Sequence, residues 1–187
     1  MVKRLNQYAQ HTPFNTSDTD KMGKYLYNAG IEGDKMFDTM TSLGDVTSAY
    51  GGSAADAVEV TRQYAQVMQS GTAYTEDLNI MNDRGIPIYQ AIAEQMGINV
   101  GEVKKMASQG KISSEIYGKA VATLGDKVKG SMDKQSKTWT GMLSTFEDVF
   151  GQLMGTLTSP IFEVAKQALG GLLEYLGSES FMTSVQG

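Results

Sequence analysis

The segment GIPIYQAIAEQMGINVGEVKKMASQGKISSE, residues 85–115, decides the fold of this 187-residue chain. Its apolar residues recur every three or four positions, which predicts two short amphipathic helices and the start of a third. Gly97 and Gly110 stand where a left-handed residue commonly ends a helix. Asn99 and Glu102 have the spacing of a capping box, in which each side chain accepts a hydrogen bond from the backbone amide of the other residue. The segment therefore predicts short helices separated by glycine turns.

Signals of the same kind start other helices, both within this segment and upstream of it. Pro87 lies in the first turn of a helix predicted over 88–96, where its missing N–H is not needed. Ser53 precedes a helix predicted to run to about Gln69, and Thr75 precedes another. The glycines predicted to end helices are Gly30, Gly51, Gly52, Gly71, Gly85, Gly97, Gly110 and Gly125.

An apolar stripe at helical spacing accompanies these signals. Its residues are Ala57, Val60, Tyr64, Val67, Met68, Leu78, Met81, Ile88, Ala91, Ile92, Met96, Val100, Val103 and Met106. Helices this short are marginal alone, so they must pack on each other. No long alternating strand pattern competes with them, and the similar turns at Gly71 and Gly110 are too few to make a repeat. We therefore predict an all-α fold, with a compact bundle of short helices at 14–125 that follows the end of a preceding helix at 1–13.

The last third of the chain, residues 126–187, predicts a long apolar amphipathic helical arm. An apolar stripe begins after Gly141, and Ser159-Pro160 ends that helix and starts the next. Such an arm is too apolar to stay exposed, so it needs a partner, which could be the core, a second copy or other residues of the same chain. We expect self-association through residues 141–176. The candidate interaction residues are Trp139, Met142, Phe146, Val149, Phe150, Leu153, Leu157, Leu169 and Leu172.

Charge is distributed unevenly along a chain whose net charge is −5. Residues 99–140 carry eight Lys against four acids, a local balance of +4, but no Arg. Arg supplies most of the fork-like contacts to phosphates and bases, so a solvated helical face explains these lysines and we expect no specific nucleic-acid binding. No segment has the apolar core of a signal peptide or the run of about 20 apolar residues that spans a bilayer.

Few residues are suited to chemistry. The absence of cysteine excludes disulfides and thiol nucleophiles. His11 is the only histidine and stands near a predicted helix end, where a capping or solvent-facing role is expected. The adjacent acids Glu76-Asp77 and Glu147-Asp148 diverge by about 100° on a helix and cannot act on one bond together.

The glycines do not form a phosphate loop. Gly51-Gly52-Ser53 opens a helix and could hold an anion at its N-terminus, but the Lys and Ser/Thr of a P-loop are missing. We therefore expect no catalytic residue, no metal, no cofactor and no small-molecule substrate.

Several short motifs occur in a fixed order. QHTPF at 10–14 is followed by TSLGDV at 41–46, YGGSA at 50–54, the segment 85–115 and SKTWTGMLS at 136–144. In order and spacing these motifs resemble the N-terminal helical region of phage tail tape measure proteins.

The resemblance covers about residues 8–150 and implies a non-catalytic structural fragment of a longer phage or prophage tail protein. Such a protein helps to set tail length and to assemble the tail tube. The resemblance implies other tail proteins as partners, the virion tail as location and the host bacterial cytoplasm during assembly. A start inside an apparent helix predicts that the chain is an excised piece. Two alternatives stay open: a membrane-active or pore-forming helical module of the tail, suggested by the apolar 141–176 segment, and a cell-wall hydrolase-associated domain.

Overall fold

The computed structural model describes residues 2–136 of the chain, and over these residues it is built almost wholly from helices. The helices are α1 (Val2–Gln10), α2 (Thr16–Asn28), α3 (Gly33–Ala49), α4 (Ala54–Ser70), α5 (Thr75–Asn82), α6 (Ile88–Met96), α7 (Val100–Ser108), α8 (Ser114–Lys127) and α9 (Ser131–Ser136), and two short strands are β1 (Thr72–Ala73) and β2 (Ile112–Ser113). The predicted helical character is confirmed over this range. The greater part of the predicted arm lies outside the described residues and stays a prediction.

The helices share one apolar core in which α8 is central. α8 packs against α3, α4 and α6, while α2 packs against α4 and α1 against α2. The largest fully buried side chains are Met22, Leu26, Met36, Met40, Leu43, Leu78, Met81, Ile86, Ile88, Ile92, Ile112 and Tyr117. Leu5 of α1 and Met132 of α9 are buried in the same core. Within residues 2–136, no helix combines the length and apolar character that crossing a membrane requires.

The predicted helix starts are mostly confirmed. Ser53 and Asn99 are N-caps, each in a capping box with the acid three residues later, and Pro87 occupies the N-cap position of α6. The start at Thr75 is displaced by one residue, because α5 is capped at Tyr74, whose backbone N–H donates to Asp77 at 2.7 Å.

Two predictions about individual residues are wrong. Gly125 does not end a helix: it lies inside α8, and the left-handed glycine after that helix is Gly130, with φ 83°. Gly125 is required for close packing instead, since a Cβ there would overlap with the side chain of Ser42 on α3. Val100, predicted in the apolar stripe, is 37% exposed, because it is the first residue of α7 and the buried positions start at Val103.

The two turns that resemble each other in sequence are paired in space. β1 and β2 are antiparallel, with Thr72 opposite Ser113 and Ala73 opposite Ile112. The N–H of Ser114 also donates to the carbonyl oxygen of Gly71 at 2.9 Å. These strands were not predicted, because two residues are too few to show an alternating pattern.

Candidate functional site

The nine predicted interaction residues, Trp139 to Leu172, all lie outside the described residues. Their role in self-association therefore stays a prediction.

The histidine and the metal-ligand types form no cluster in this range. His11 is exposed directly after α1, and its backbone N–H donates to the carbonyl oxygen of Tyr8 at 3.1 Å. Across residues 2–136, no group of three or more His, Asp or Glu side chains is arranged to hold a metal ion. The helix-end position predicted for His11 is confirmed.

The side chain of Asp56 lies at the N-terminus of α4, which the sequence suggested as a position for an anion. Its Oδ2 accepts hydrogen bonds from the Ser53 hydroxyl at 2.6 Å and the Ser53 N–H at 2.9 Å. Its Oδ1 accepts from Nε of Arg84 at 2.9 Å. These bonds, those from Ser53 first, hold the pKa of Asp56 below its ordinary value. Because Arg84 also donates to the carbonyl oxygen of Ile80, this carboxylate joins the start of α4 to the end of α5.

The adjacent acids Glu76 and Asp77 diverge as predicted. Glu76 is exposed, whereas Asp77 accepts from the backbone N–H of Tyr74 and from the side-chain amide of Gln63. Gln63 is only 3% exposed, so this bond satisfies a buried polar group. Asp77 is a helix cap and a core contact.

Two surface cavities of about 240 Å³ lie on the described residues. The first is bounded by α3, α4 and α8, and its lining includes Lys35, Asp38, Tyr64, Gly118 and Asp126. Burial raises the pKa of the Tyr64 hydroxyl, which favours its neutral form.

The second cavity lies beside α1 and the start of α3. The Arg4 side chain that lines it already contacts other residues. The Arg4 guanidinium is 2.8 Å from Asp34 and lies 4.2 Å from the centroid of the Phe37 ring. Tyr27, at the rim, is 49% exposed. Arg4 therefore contacts the start of α3 through an exposed ion pair and a cation–π contact.

The start of α9 is bound by a buried carboxylate of α3. Asp45 of α3 is 3% exposed, and its two carboxylate oxygens accept from the N–H groups of Gly130 and Met132, each at 2.9 Å. Met132 is 4% exposed and lies against Gly44, Phe14 and the hydroxyl of Tyr8. Burial is the main cause that raises the pKa of Tyr8, so its hydroxyl stays neutral.

Asp45 lies within the motif at 41–46, but it was not among the predicted functional residues. Its neighbours at helical spacing are Thr41, Ser42, Ser48 and Ala49, so no apolar stripe marked the acid as buried. A buried charged group needs a partner. Its partners are backbone amides 85 and 87 positions later, which no local pattern identifies.

Comparison with known proteins gives a consistent family. Residues 1–159 match the family described as tape measure protein. Over 94% of its length the chain is 24% identical to the Mu-like prophage FluMu protein gp42 of Haemophilus influenzae. It is 27% identical over 58% of its length to a probable tape measure protein of Escherichia phage Mu, and 24% identical over 83% to a tape measure protein of Lactococcus phage F4-1.

The chain spans only part of each relative: 28% of the Haemophilus protein, 16% of the phage Mu protein and 43% of the Lactococcus phage protein. No solved structure matches it.

Proposed function

The chain belongs to the tape measure protein family, and from this premise we propose that it is a non-catalytic structural segment of a phage tail that helps to set tail length and to assemble the tail tube. The observation that carries the proposal is the match over residues 1–159, which includes the whole described bundle. Relatives from Lactococcus phages and from phage Mu bear the same family description in their names.

The non-catalytic part of the proposal is supported by what the polar side chains do. Asp56 caps α4 and binds Arg84, Asp77 caps α5 and binds Gln63, and Asp45 binds the start of α9. Groups engaged in this way keep helices in register. A general acid or base instead needs a free position facing a substrate and a pKa matched to its task.

The proposed partners and location follow from the family. We place the protein in the virion tail, with assembly in the cytoplasm of the bacterial host and other tail proteins as contacts. Self-association through residues 141–176 belongs to the same proposal, because an apolar stripe of that length needs a covering surface.

The functional test is a core substitution in the phage or prophage genome that encodes the chain. Leu43 is fully buried in α3, so Leu43→Asp places a charge in the core and should unfold the bundle. Under the proposal, electron microscopy of lysates should show few tails, or tails of abnormal length. The matched control is Glu76→Gln, which changes an exposed residue and should leave tails unchanged.

Tails of normal number and length in the Leu43→Asp phage, with the variant shown by circular dichroism to be unfolded, would contradict a structural role. If tails are normal in appearance but infection fails at entry, the result favours a role in passage through the membrane or cell wall over a role in tail assembly.

A further inference from the structure

We propose that α9 is a releasable clip, which docks on α3 through Asp45 and Met132 and can detach while α1–α8 stay folded. When docked, it holds residues 131–136 on the bundle.

The polar half of the clip is the Asp45 carboxylate. It accepts one hydrogen bond from Gly130 and one from Met132, both at the start of α9, where backbone N–H groups have no partner within the helix. Bonds from amides to an ionised carboxylate are stronger than bonds between neutral groups. Asp45 therefore acts on α9 as an N-cap would, although it is supplied by α3.

The apolar half is the Met132 side chain. It enters a notch at Gly44, where any Cβ would overlap with its sulfur, and the ring of Phe14 forms one wall of that notch. At the other end of α9, the side-chain amide of Gln135 donates to the carbonyl oxygen of Gly52 at 3.2 Å. The helix is thus held at its start, at one buried side chain and near its end.

Release is feasible because α9 has little stability of its own and contributes little to the rest of the core. It has only six residues, and a helix that short does not persist in water without docking. Met132 is its one buried apolar residue, whereas the packing among α2, α3, α4, α6 and α8 does not pass through it. Opening of α9 therefore removes one side chain from the core, hydrates one carboxylate and breaks the bond from Gln135 to Gly52.

The test is amide hydrogen exchange on the full chain, comparing wild type with Asp45→Asn. The side-chain amide of this variant would face one of the two N–H groups with its own donor, so one bond is lost and the other loses its charge. Exchange at Gly130 and Met132 should accelerate at least about tenfold. Exchange in α4 and α8 should change less than about twofold. Asp38→Asn, which replaces an exposed acid on the same helix, is the matched control and should change neither.

A second variant keeps the proposal testable if Asp45→Asn does not fold. Met132→Ala removes the apolar anchor and leaves Asp45 in place, and it should give the same selective acceleration at Gly130. In wild type, the exchange of these amides should also be insensitive to low urea concentrations, since a local opening exposes little surface. Equal acceleration in α4, α8 and α9 of Met132→Ala would overturn the proposal, because α9 would then unfold only with the whole core. Unchanged exchange at Gly130 in Met132→Ala would overturn it as well.

Discussion

Gly125 allows α8 to lie closer to α3 than a residue with a side chain would permit. A Cβ at this position would lie 3.0 Å from Cβ and 3.3 Å from Cα of Ser42, so rotating the serine hydroxyl alone cannot relieve the overlap. We expect Gly125→Ala to lower the free energy of unfolding by about 1–3 kcal/mol, as over-packing does in other cores. Urea denaturation at neutral pH measures this change.

Gly118→Ala is the matched control, because it makes the same substitution on the same helix. There the added carbon would meet only the side-chain ends of Met68 at 3.3 Å and Tyr64 at 3.5 Å, next to a cavity. Loss of a glycine from a helix interior should make this variant neutral or more stable by up to about 1 kcal/mol. Equal destabilisation by both substitutions would show that close approach of α3 and α8 is not the reason for Gly125.

Asp56 should make the folded protein less stable at acid pH than at neutral pH. Its pKa is lowered in the folded protein by Ser53 and Arg84, so the stabilisation is complete above the unfolded value of about 3.9 and is lost as the pH falls through the folded value. Asp56→Asn should therefore be less stable than wild type by about 1 kcal/mol at pH 7, the usual contribution of a helix cap. The difference should shrink below about pH 4.

Urea midpoints of both proteins between pH 7 and pH 3 test this expectation. Asp20→Asn, at an exposed position of α2, should change stability by less than about 0.5 kcal/mol at any pH. If the difference in unfolding free energy between Asp56→Asn and wild type stays constant down to pH 3, the carboxylate charge is not its cause. Side-chain packing would then explain the loss of stability.

At the scale of elements, the end of α4 controls entry into β1. Gly71 ends the helix with φ 77°, and apart from the adjoining backbone no atom lies within 4 Å of the position that a Cβ would take. The cost of a side chain there is therefore backbone strain alone, and Gly71→Ala should destabilise the protein by about 1–2 kcal/mol. Gly71→Asn should cost less, because Asn tolerates left-handed conformations. Thermal melts of the two variants compare these costs, and an equal loss would indicate crowding instead of strain.

The helices that were predicted well from the sequence are those whose ends depend on hydrogen bonds between neighbouring residues. Ser53 and Asn99 cap helices with acids three residues away, and these bonds need nothing from the rest of the chain. The pairing of β1 with β2 and the docking of α9 on Asp45 join segments that lie far apart in the sequence. No periodicity within a helix reports such a partner. Gly125 is a further example. A glycine looks the same in the sequence whether it ends a helix or allows close packing against Ser42.

For the whole molecule, the predicted division into residues 1–13, 14–125 and 126–187 remains a proposal. Leu5 fits against Gly23 of α2, and Met132 fits against Gly44 of α3, so residues from the first and last of these parts contribute to the core of the middle one. Each contributes through few buried side chains. We therefore propose that the middle part is the cooperative unit and that α1 and α9 dock on it.

The last prediction concerns the apolar stripe of residues 141–176. Large side chains such as Phe146, Val149 and Leu153 each gain about 1.5–3 kcal/mol on burial, and the entropy of ordering the chain offsets much of that gain. A stripe with a partner copy should therefore make the full chain associate. Phe146→Asp should weaken that association at least about tenfold in sedimentation velocity, because it buries an unpaired charge. Ser144→Asp adds the same charge off the stripe and should leave association unchanged. If the wild-type chain sediments as a monomer at every concentration, self-association through this stripe is excluded.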